Sequence, residues 1–273
     1  MSFIELLKVI LLGIVEGITE WLPISSTGHM ILVNEFIQLN VDENFMELFL
    51  VVIQLGAILA VVVLFWEKIF PFHLKNGFKV DKKKMNMWFK IVVASLPAAI
   101  IGIPFDDVID RVFYNYVVVA AMLIIYGVFF IVIENRNKGT KPRVQTLDQI
   151  DYKMAFLIGI FQLLAVIPGT SRSGATIVGS MMIGISRTVA AEFTFFLAIP
   201  AMAGASLIKI LKIGLSFPPS YLALLIVGMV VAFVVSVLSI KFLMGYIKKH
   251  DFKVFGWYRI VLGILVLGYF ILS

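Results

Sequence analysis

Two stretches of the chain combine charged and hydroxyl side chains with glycine and proline inside otherwise apolar sequence. The first runs from Gly13 to His29 and reads GIVEGITEWLPISSTGH. Glu16 and Glu20 are four residues apart, so both carboxylates lie on one face of a helix. Because Mg²⁺ and Ca²⁺ prefer oxygen ligands, the pair is predicted to bind a divalent cation. Gly13 has the same spacing to Gly17, which permits close contact with another helix.

Hydroxyl groups follow the acidic pair. Pro23 is expected to end the first helix, because proline lacks the backbone donor that a helix interior requires. A helix N-terminus flanked by hydroxyl groups is an anion site, because its free N–H groups and its dipole point toward the ligand. His29 or Glu20 is a candidate general base beside such an anion. One of Ser25, Ser26 and Thr27 is expected to cap the new helix. The residues of this stretch expected to contact the anion are Ser25, Thr27 and Gly28, with Ser26 among the catalytic candidates.

The second stretch, PGTSRSG from Pro168 to Gly174, repeats this design and adds a guanidinium group on Arg172. Arginine presents a planar fork of donors that matches phosphate oxygens. The other groups expected to bind an anion here are Thr170, Ser171, Ser173 and Gly174. Phosphoryl transfer depends mostly on positioning and charge stabilisation, so the two stretches together predict a phosphate-handling site. The alternative is a structural ion pair, which leaves the clustered hydroxyl groups unexplained.

The composition is that of a membrane protein. Hydrophobic residues make up 61% of the 273 residues and charged residues 15%, against about 45–50% and about 25% in soluble domains. The formal net charge of +6 does not indicate nucleic-acid binding, because the basic residues lie between apolar runs. The absence of cysteine excludes disulfides, thiolate nucleophiles and cysteine-bound metals. Acidic residues interrupt the first apolar run, which argues against a cleavable signal peptide.

Six apolar runs are long enough to cross the membrane, which requires about 20 residues. They lie near Glu47–Trp66, Asn86–Ile103, Tyr116–Ile133, Thr188–Leu211, Tyr221–Met244 and Gly256–Leu272. Two shorter pairs, Phe3–Leu22 with Gly28–Leu39 and Tyr152–Ile167 with Gly174–Ile185, are interrupted at the polar stretches. The sequence therefore predicts an all-α polytopic membrane protein with six transmembrane helices and two re-entrant helix-loop-helix hairpins. A plain bundle of eight or ten spans is the alternative.

The two hairpins resemble each other at an offset of 146 residues, which places Ser25 opposite Ser171 and Gly28 opposite Gly174. Broken helices in two halves of a membrane protein indicate a binding site near the midplane. We expect one membrane domain, 1–273, with repeat 1 at about 1–134 and repeat 2 at about 150–273 in inverted orientation.

The distribution of basic residues predicts the orientation. Tracing six spans and two hairpins puts 15 of the 23 Lys and Arg residues on one face, in segments 67–84, 134–153, 186–187 and 246–255. Loops rich in Lys and Arg remain cytoplasmic. Both termini are therefore expected on the outer side, and the first hairpin is expected to open outward.

The two polar stretches resemble the signature motifs of the bacterial undecaprenyl pyrophosphate phosphatase family, also called the bacitracin-resistance proteins. The resemblance implies a bacterial plasma-membrane enzyme that removes the terminal phosphate of undecaprenyl pyrophosphate and regenerates the lipid carrier for wall polymers. It also implies a divalent cation and an association with bacitracin resistance. The family's acidic pair, hydroxyl and histidine positions and arginine loop fall on Glu16, Glu20, Ser25, Ser26, Thr27, His29, Ser171, Arg172 and Ser173.

The attacking group stays open at this stage. Ser26 is one candidate nucleophile, with His29 or Glu20 as its base, and a metal-bound water is the other. A transporter or flippase of a lipid phosphate is the alternative function, because inverted repeats with broken helices are typical of transporters. The polar residues include a candidate nucleophile, a candidate base and a cation site, which a transporter does not require, and this favours the enzyme. The expected partners are the polyprenyl pyrophosphate and membrane lipids, and the sequence leaves open whether the protein is a monomer or a homodimer.

Overall fold

The structure, a computed structural model, describes residues 2–73, 79–214 and 216–272 of the chain. Its helices are α1 Phe3–Thr19, α2 Ser26–Phe36, α3 Glu43–Leu64, α4 Trp66–Ile69, α5 Lys82–Phe113, α6 Tyr116–Asn137, α7 Tyr152–Leu163, α8 Arg172–Met182, α9 Arg187–Ile213, α10 Pro219–Tyr246 and α11 Lys253–Leu272. Short 3₁₀ turns lie at Leu147–Gln149 and Leu164–Val166. The strands β1 Phe72–His73 and β2 Lys79–Val80 pair antiparallel in the basic loop 67–84, whose residues 74–78 lie outside the described part.

Among the residues that the structure describes, six helices are long and apolar enough to cross a membrane: α3, α5, α6, α9, α10 and α11. They coincide with the six predicted runs, so the chain is a helical multi-pass membrane protein, as the sequence predicted. The largest difference in a boundary is at the end of α5. The run predicted to end at Ile103 continues as helix to Phe113, because Pro97 and Pro104 lie within α5 without ending it. Packed membrane helices tolerate internal proline, since neighbouring groups satisfy the freed backbone.

Two helices are interrupted where the sequence predicted. The breaks begin before their prolines: α1 ends at Thr19, four residues before Pro23, and α7 ends at Leu163, five before Pro168. The reason is steric, because a proline ring clashes with the carbonyl four residues earlier. The second arms, α2 and α8, have 11 residues each. At 1.5 Å per residue they extend about 16 Å, about half of the hydrocarbon thickness.

Each broken helix packs against a continuous helix from the other half of the chain. In α1, a Cβ atom added at Gly17 would lie 2.8 Å from Val235 Cβ of α10, so the predicted close contact is present. In α7, a Cβ at Gly159 would lie 2.4 Å from the Ala94 carbonyl of α5. Glycine at these positions lets the helices approach closely enough for backbone contact.

The second arms follow the same rule. The α2 helix contacts α11, where His29 stacks on Tyr258 with ring centroids 5.6 Å apart, and α8 packs against α6. Other extensive contacts join α3 with α9 and α10, and α6 with α11. The two breaks are consequently enclosed by helices of both halves, and Trp21, which follows α1, is fully buried against Phe195.

Candidate functional site

The two helix breaks have the same local geometry. Ser25 precedes α2 with a φ of 74°, and its hydroxyl accepts a hydrogen bond from the Gly28 N–H at 3.3 Å. Ser171 precedes α8 with a φ of 69°, and its hydroxyl accepts from the Gly174 N–H at 3.2 Å. Within the described ranges, these serines are the non-glycine residues with positive φ. Such strained conformations cluster at functional sites, where the surroundings enforce them.

Glu20 joins the two breaks. Its Oε1 accepts a hydrogen bond from Arg172 Nη2 at 3.0 Å, and its Oε2 accepts from Ser26 Oγ at 2.9 Å. Its backbone carbonyl accepts from Ser173 Oγ at 3.2 Å. The first residues of α2 and α8 therefore meet at one carboxylate. The Glu20 and Arg172 side chains are only 9% and 14% exposed, so the charged pair is shielded from bulk water.

Arg172 is held from a second direction. Its Nη1 donates to the Thr194 carbonyl of α9 at 3.0 Å, while the Thr194 hydroxyl donates to Thr176 of α8 at 2.9 Å. The buried Nε of Arg172 has no acceptor among the described residues. The guanidinium plane is thus fixed by two partners, and its Nε–H is a donor that these contacts leave unused.

Glu16 lies one turn before Glu20 and is almost completely buried, and its Oε1 accepts no hydrogen bond from the described protein. No cluster of three or more His, Asp or Glu side chains suited to a metal occurs in the ranges the structure describes. A buried carboxylate oxygen without a donor fits a cation. With so few protein ligands, such a cation would also depend on oxygen atoms of a phosphate ligand, as Mg²⁺ often does.

His29 makes its hydrogen bonds to groups other than Glu20 and Ser26. Its Nδ1 lies 2.7 Å from the Ser25 carbonyl, and its Nε2 lies 2.6 Å from the Tyr258 hydroxyl. Because a carbonyl oxygen only accepts, Nδ1 carries a proton, and Nε2 of the neutral ring accepts from Tyr258. Both ring nitrogens are therefore occupied within this pair of contacts, whereas Glu20 directly contacts the candidate nucleophile.

The other predicted residues surround this centre. Ser171 and Ser173 lie with their hydroxyl oxygens 3.2 Å apart. Thr170 is fully buried, and its hydroxyl has no partner among the described residues. Thr27 is half-buried and makes no side-chain hydrogen bond within the same residues. The structure thus brings both predicted stretches to one place, and their catalytic and binding roles remain predictions.

The sequence analysis missed Arg259, which is fully buried in α11. It donates to carbonyls of both breaks: Pro23 at 3.3 Å, Gly169 at 2.8 Å and Thr170 at 2.9 Å. Its guanidinium lies 5.7 Å from the Tyr126 ring centroid. The signal was present in the sequence, because a charged residue inside an apolar run marks a functional site by default.

We expect Arg259→Leu to lower the free energy of unfolding by about 3 kcal/mol or more, since three loop carbonyls lose their donor in a buried environment. Phosphate-handling activity falls with it, because both breaks lose their common support. Thermal unfolding in detergent measures the first effect. Arg259→Lys, which keeps the charge with fewer donors, is expected to be intermediate, and an Arg259→Leu protein as stable as wild type would contradict this role.

Comparison with known proteins gives consistent results. The family model described as "Bacitracin resistance protein BacA" matches residues 9–265. An undecaprenyl-diphosphatase of Desulfitobacterium hafniense is 66% identical over 271 residues, covering 99% of this chain and 98% of that protein. Undecaprenyl-diphosphatase 1 of Clostridium acetobutylicum is 63% identical over 273 residues, covering 100% of both, and an Enterococcus faecalis undecaprenyl-diphosphatase is 65% identical over 269 residues, covering 98% of both. With a family match over most of its length and such relatives, the chain belongs to the BacA family of bacitracin resistance proteins.

Proposed function

We propose that the chain is a membrane-embedded phosphatase that hydrolyses undecaprenyl pyrophosphate to undecaprenyl phosphate and inorganic phosphate. The reaction recycles the lipid carrier for cell-wall synthesis and confers bacitracin resistance. The observation that carries the proposal is the contact of one carboxylate, Glu20, with both a guanidinium and a hydroxyl at two helix N-termini. Relatives of the same length that are named undecaprenyl-diphosphatase support it.

The contacts favour Ser26 as the nucleophile and Glu20 as its base. Ser26 Oγ forms a bond to the terminal phosphorus, its proton passes to Glu20, and the bond to the bridging oxygen breaks, releasing undecaprenyl phosphate. Water then hydrolyses the phosphoserine to inorganic phosphate. Arg172 and the N–H groups at the starts of α2 and α8 hold the anionic oxygens. His29 serves to position α2 against Tyr258.

Glu16, together with Glu20, is the proposed site for a divalent cation, Mg²⁺ or Ca²⁺. The unpartnered Oε1 of Glu16 supports it, and carboxylates with phosphate oxygens are the usual ligands of these ions. When bound, such a cation neutralises charge on the diphosphate.

The arrangement of the breaks supports two re-entrant hairpins in an inverted repeat. Residues 146 positions apart, Ser25 and Ser171, share the same strained cap. The packing is also reciprocal, since α1 pairs with α10 and α7 with α5. Such a repeat places a site near the midplane between its halves.

The same arrangement, with the positive-inside rule, puts both termini on the outer face of the bacterial plasma membrane. We expect a cysteine at position 40 to be labelled from outside intact cells and one at position 79 to be protected. The protein contains no cysteine, so each single-cysteine variant, Asn40→Cys or Lys79→Cys, reports one site. The reverse labelling pattern would invert the proposed orientation.

A cavity of about 530 Å³ between α5 and α9 is the proposed groove for the prenyl chain. Its walls are mostly small and apolar, and Lys209 and Lys212 line it. Along α9 its lining starts with Pro200, six residues beyond Thr194, whose carbonyl accepts a hydrogen bond from Arg172. A chain with its head at Arg172 would extend along α9 into this groove.

Filling the groove is expected to weaken binding of the long substrate selectively. A Cβ atom at Gly204 contacts nothing within 4 Å, and Gly204 lines the cavity, so Gly204→Leu is expected to project into it. We expect KM for undecaprenyl pyrophosphate to rise about tenfold, the effect of roughly two buried CH₂ groups, while KM for a short prenyl pyrophosphate stays constant. The matched control is Gly268→Leu, which also meets open space. Equal KM changes in both variants would remove the groove assignment.

Phosphate release by purified protein in detergent tests the function, because detergent abolishes vectorial transport. We expect release from undecaprenyl pyrophosphate that a chelator suppresses and added Mg²⁺ or Ca²⁺ restores. Absence of phosphate release by a folded, cation-loaded protein would favour a transporter or flippase of a lipid phosphate. Equal release from inorganic pyrophosphate would make the lipid assignment wrong.

A further inference from the structure

A second cavity, of about 970 Å³, lies at the end of α8 opposite Arg172. Helix α8 begins with Arg172 at the site and ends with Met182, which lines this cavity. The wall is completed by the end of α6, the loop after it, the start of α7, the start of α9 and the residues after α10. None of Glu20, Ser26 and Arg172 lines it, so it is separate from the site described above.

The cavity concentrates positive charge without compensation. Five of the cationic side chains that line it have no ion pair or side-chain hydrogen bond with the described residues: Arg136, Lys141, Arg143, Lys153 and Lys248. A sixth, Arg187, is paired with Glu134 outside the cavity. The lining carboxylate, Asp151, already caps α7 through the Met154 N–H at 2.7 Å. The charges of the lining therefore favour an anion.

A helix N-terminus opens into the same space. Helix α9 has 27 residues, and its N-cap Ser186 makes no side-chain capping hydrogen bond. Ser186, Arg187 and Thr188 all line the cavity. The first N–H groups of a helix lack intrahelical partners, and together with the dipole they bind phosphate.

The cavity is preformed and has an apolar floor. The loop that carries Arg143 is fixed to the turn after α8, because the Arg143 N–H donates to the Gly184 carbonyl at 2.8 Å. The Ser186 N–H donates to the Val144 carbonyl at 2.9 Å, which holds the start of α9 beside that loop. The floor consists of Met154, Leu157, Met182, Ile183 and Ile247. Apolar side chains beside unpaired cations suit a phosphate that is attached to a hydrocarbon chain.

We propose that this cavity binds the phosphate headgroup of an anionic lipid from the basic face of the membrane. The headgroup lies at the start of α9 between Arg143 and Lys153, and the lipid chain covers the apolar floor. This site goes beyond the proposed hydrolysis, since it lies at the far end of α8 and uses none of the reacting groups. Charge for topology alone requires basic residues on this face but does not require them to surround a hollow.

Native mass spectrometry of the whole protein in detergent, with added phosphatidylglycerol, tests the site. We expect Arg143→Ala/Lys153→Ala to bind this lipid about 30-fold more weakly than wild type, about fivefold for each cation removed. The matched control is Lys79→Ala/Lys82→Ala, which removes two exposed lysines from the same face outside the cavity. The control residue Lys82 is at the start of α5, beside the turn that contains Asp148, and Lys83 Nζ lies 3.9 Å from the Asp148 carboxylate. The control is expected to retain the lipid.

A second pair of variants and a second ligand complete the test. Lys141→Ala/Lys248→Ala is expected to weaken binding similarly, and phosphatidylcholine is expected not to bind. Phosphate release by all these variants should remain at the wild-type rate, which also demonstrates that they fold. Equal lipid binding by the cavity variants and the control would overturn the site. Binding of inorganic phosphate without binding of phosphatidylglycerol would overturn the lipid assignment.

Discussion

Arg172→Ala is expected to release phosphate from undecaprenyl pyrophosphate at least about 1,000-fold more slowly than wild type. The guanidinium is fixed by Glu20 and by the Thr194 carbonyl, and its Nε–H has no acceptor among the described residues. Removing one preorganised donor from a transition state costs about 10²–10³ in rate, and removing an arginine that stabilises a transferring phosphoryl group costs about 10³–10⁵. Initial rates of phosphate release at saturating cation measure the effect.

The effect of Arg172→Ala on stability must be separated from its effect on the rate. Removing the guanidinium leaves the buried Glu20 carboxylate without its positively charged partner. Loss of one partner of a buried pair costs about 3–5 kcal/mol. Rates should therefore be compared at a temperature where thermal unfolding shows both proteins to be folded. Arg172→Lys keeps the charge but loses the fork, so an intermediate rate is expected. Arg111→Ala, at an exposed position, is the matched control and should retain full activity. A folded Arg172→Ala protein with wild-type turnover would remove the arginine from the reaction.

Ser26→Ala is expected to have the second largest effect, a loss of about 1,000-fold or more, as is usual when a nucleophile is removed. The hydroxyl lies 2.9 Å from the Glu20 carboxylate, so Glu20 can accept its proton as the bond to phosphorus forms. Acid quenching of wild type during turnover of substrate labelled at the terminal phosphate should trap labelled phosphoserine. The label should map to Ser26 by peptide mass spectrometry.

Neighbouring hydroxyl groups provide the controls for this experiment. Thr27→Ala removes a hydroxyl that makes no side-chain hydrogen bond in the described structure, so only a modest loss is expected. Ser25→Ala removes the cap of α2 and should cost about 1 kcal/mol of stability while phosphoserine still forms. Full turnover by Ser26→Ala, with no trapped phosphoenzyme, would establish direct attack by water.

The sequence predicted those features that depend on local pattern. The six spans follow from apolar length, and both breaks follow from proline within polar residues. The meeting of Glu20 with Arg172 was expected from the repeated design of the two stretches. The start of each break was predicted too late, because the steric effect of Pro23 and Pro168 acts on the preceding turn.

The supporting contacts could not be predicted in the same way. Arg259 donates to backbone carbonyls of residues more than 80 positions away. Because every residue has a backbone carbonyl, the sequence does not indicate which of them will accept a hydrogen bond from Arg259. The pairing of His29 with Tyr258 likewise depends on how α2 lies against α11. That contact gives His29 a proposed role in positioning α2, and its role as a candidate base stays a prediction.

The position of Arg259 in α11 has a consequence for biosynthesis. Ribosomes deliver membrane helices in chain order, so the carboxylates, the serines and Arg172 all enter the bilayer before the side chain that holds their loops together. A nascent chain that has completed α10 contains every proposed reacting group but lacks the donor to Pro23, Gly169 and Thr170. We therefore expect activity to be gained only when α11 inserts, so that a chain which has completed only α10 does not yet act on the lipid carrier.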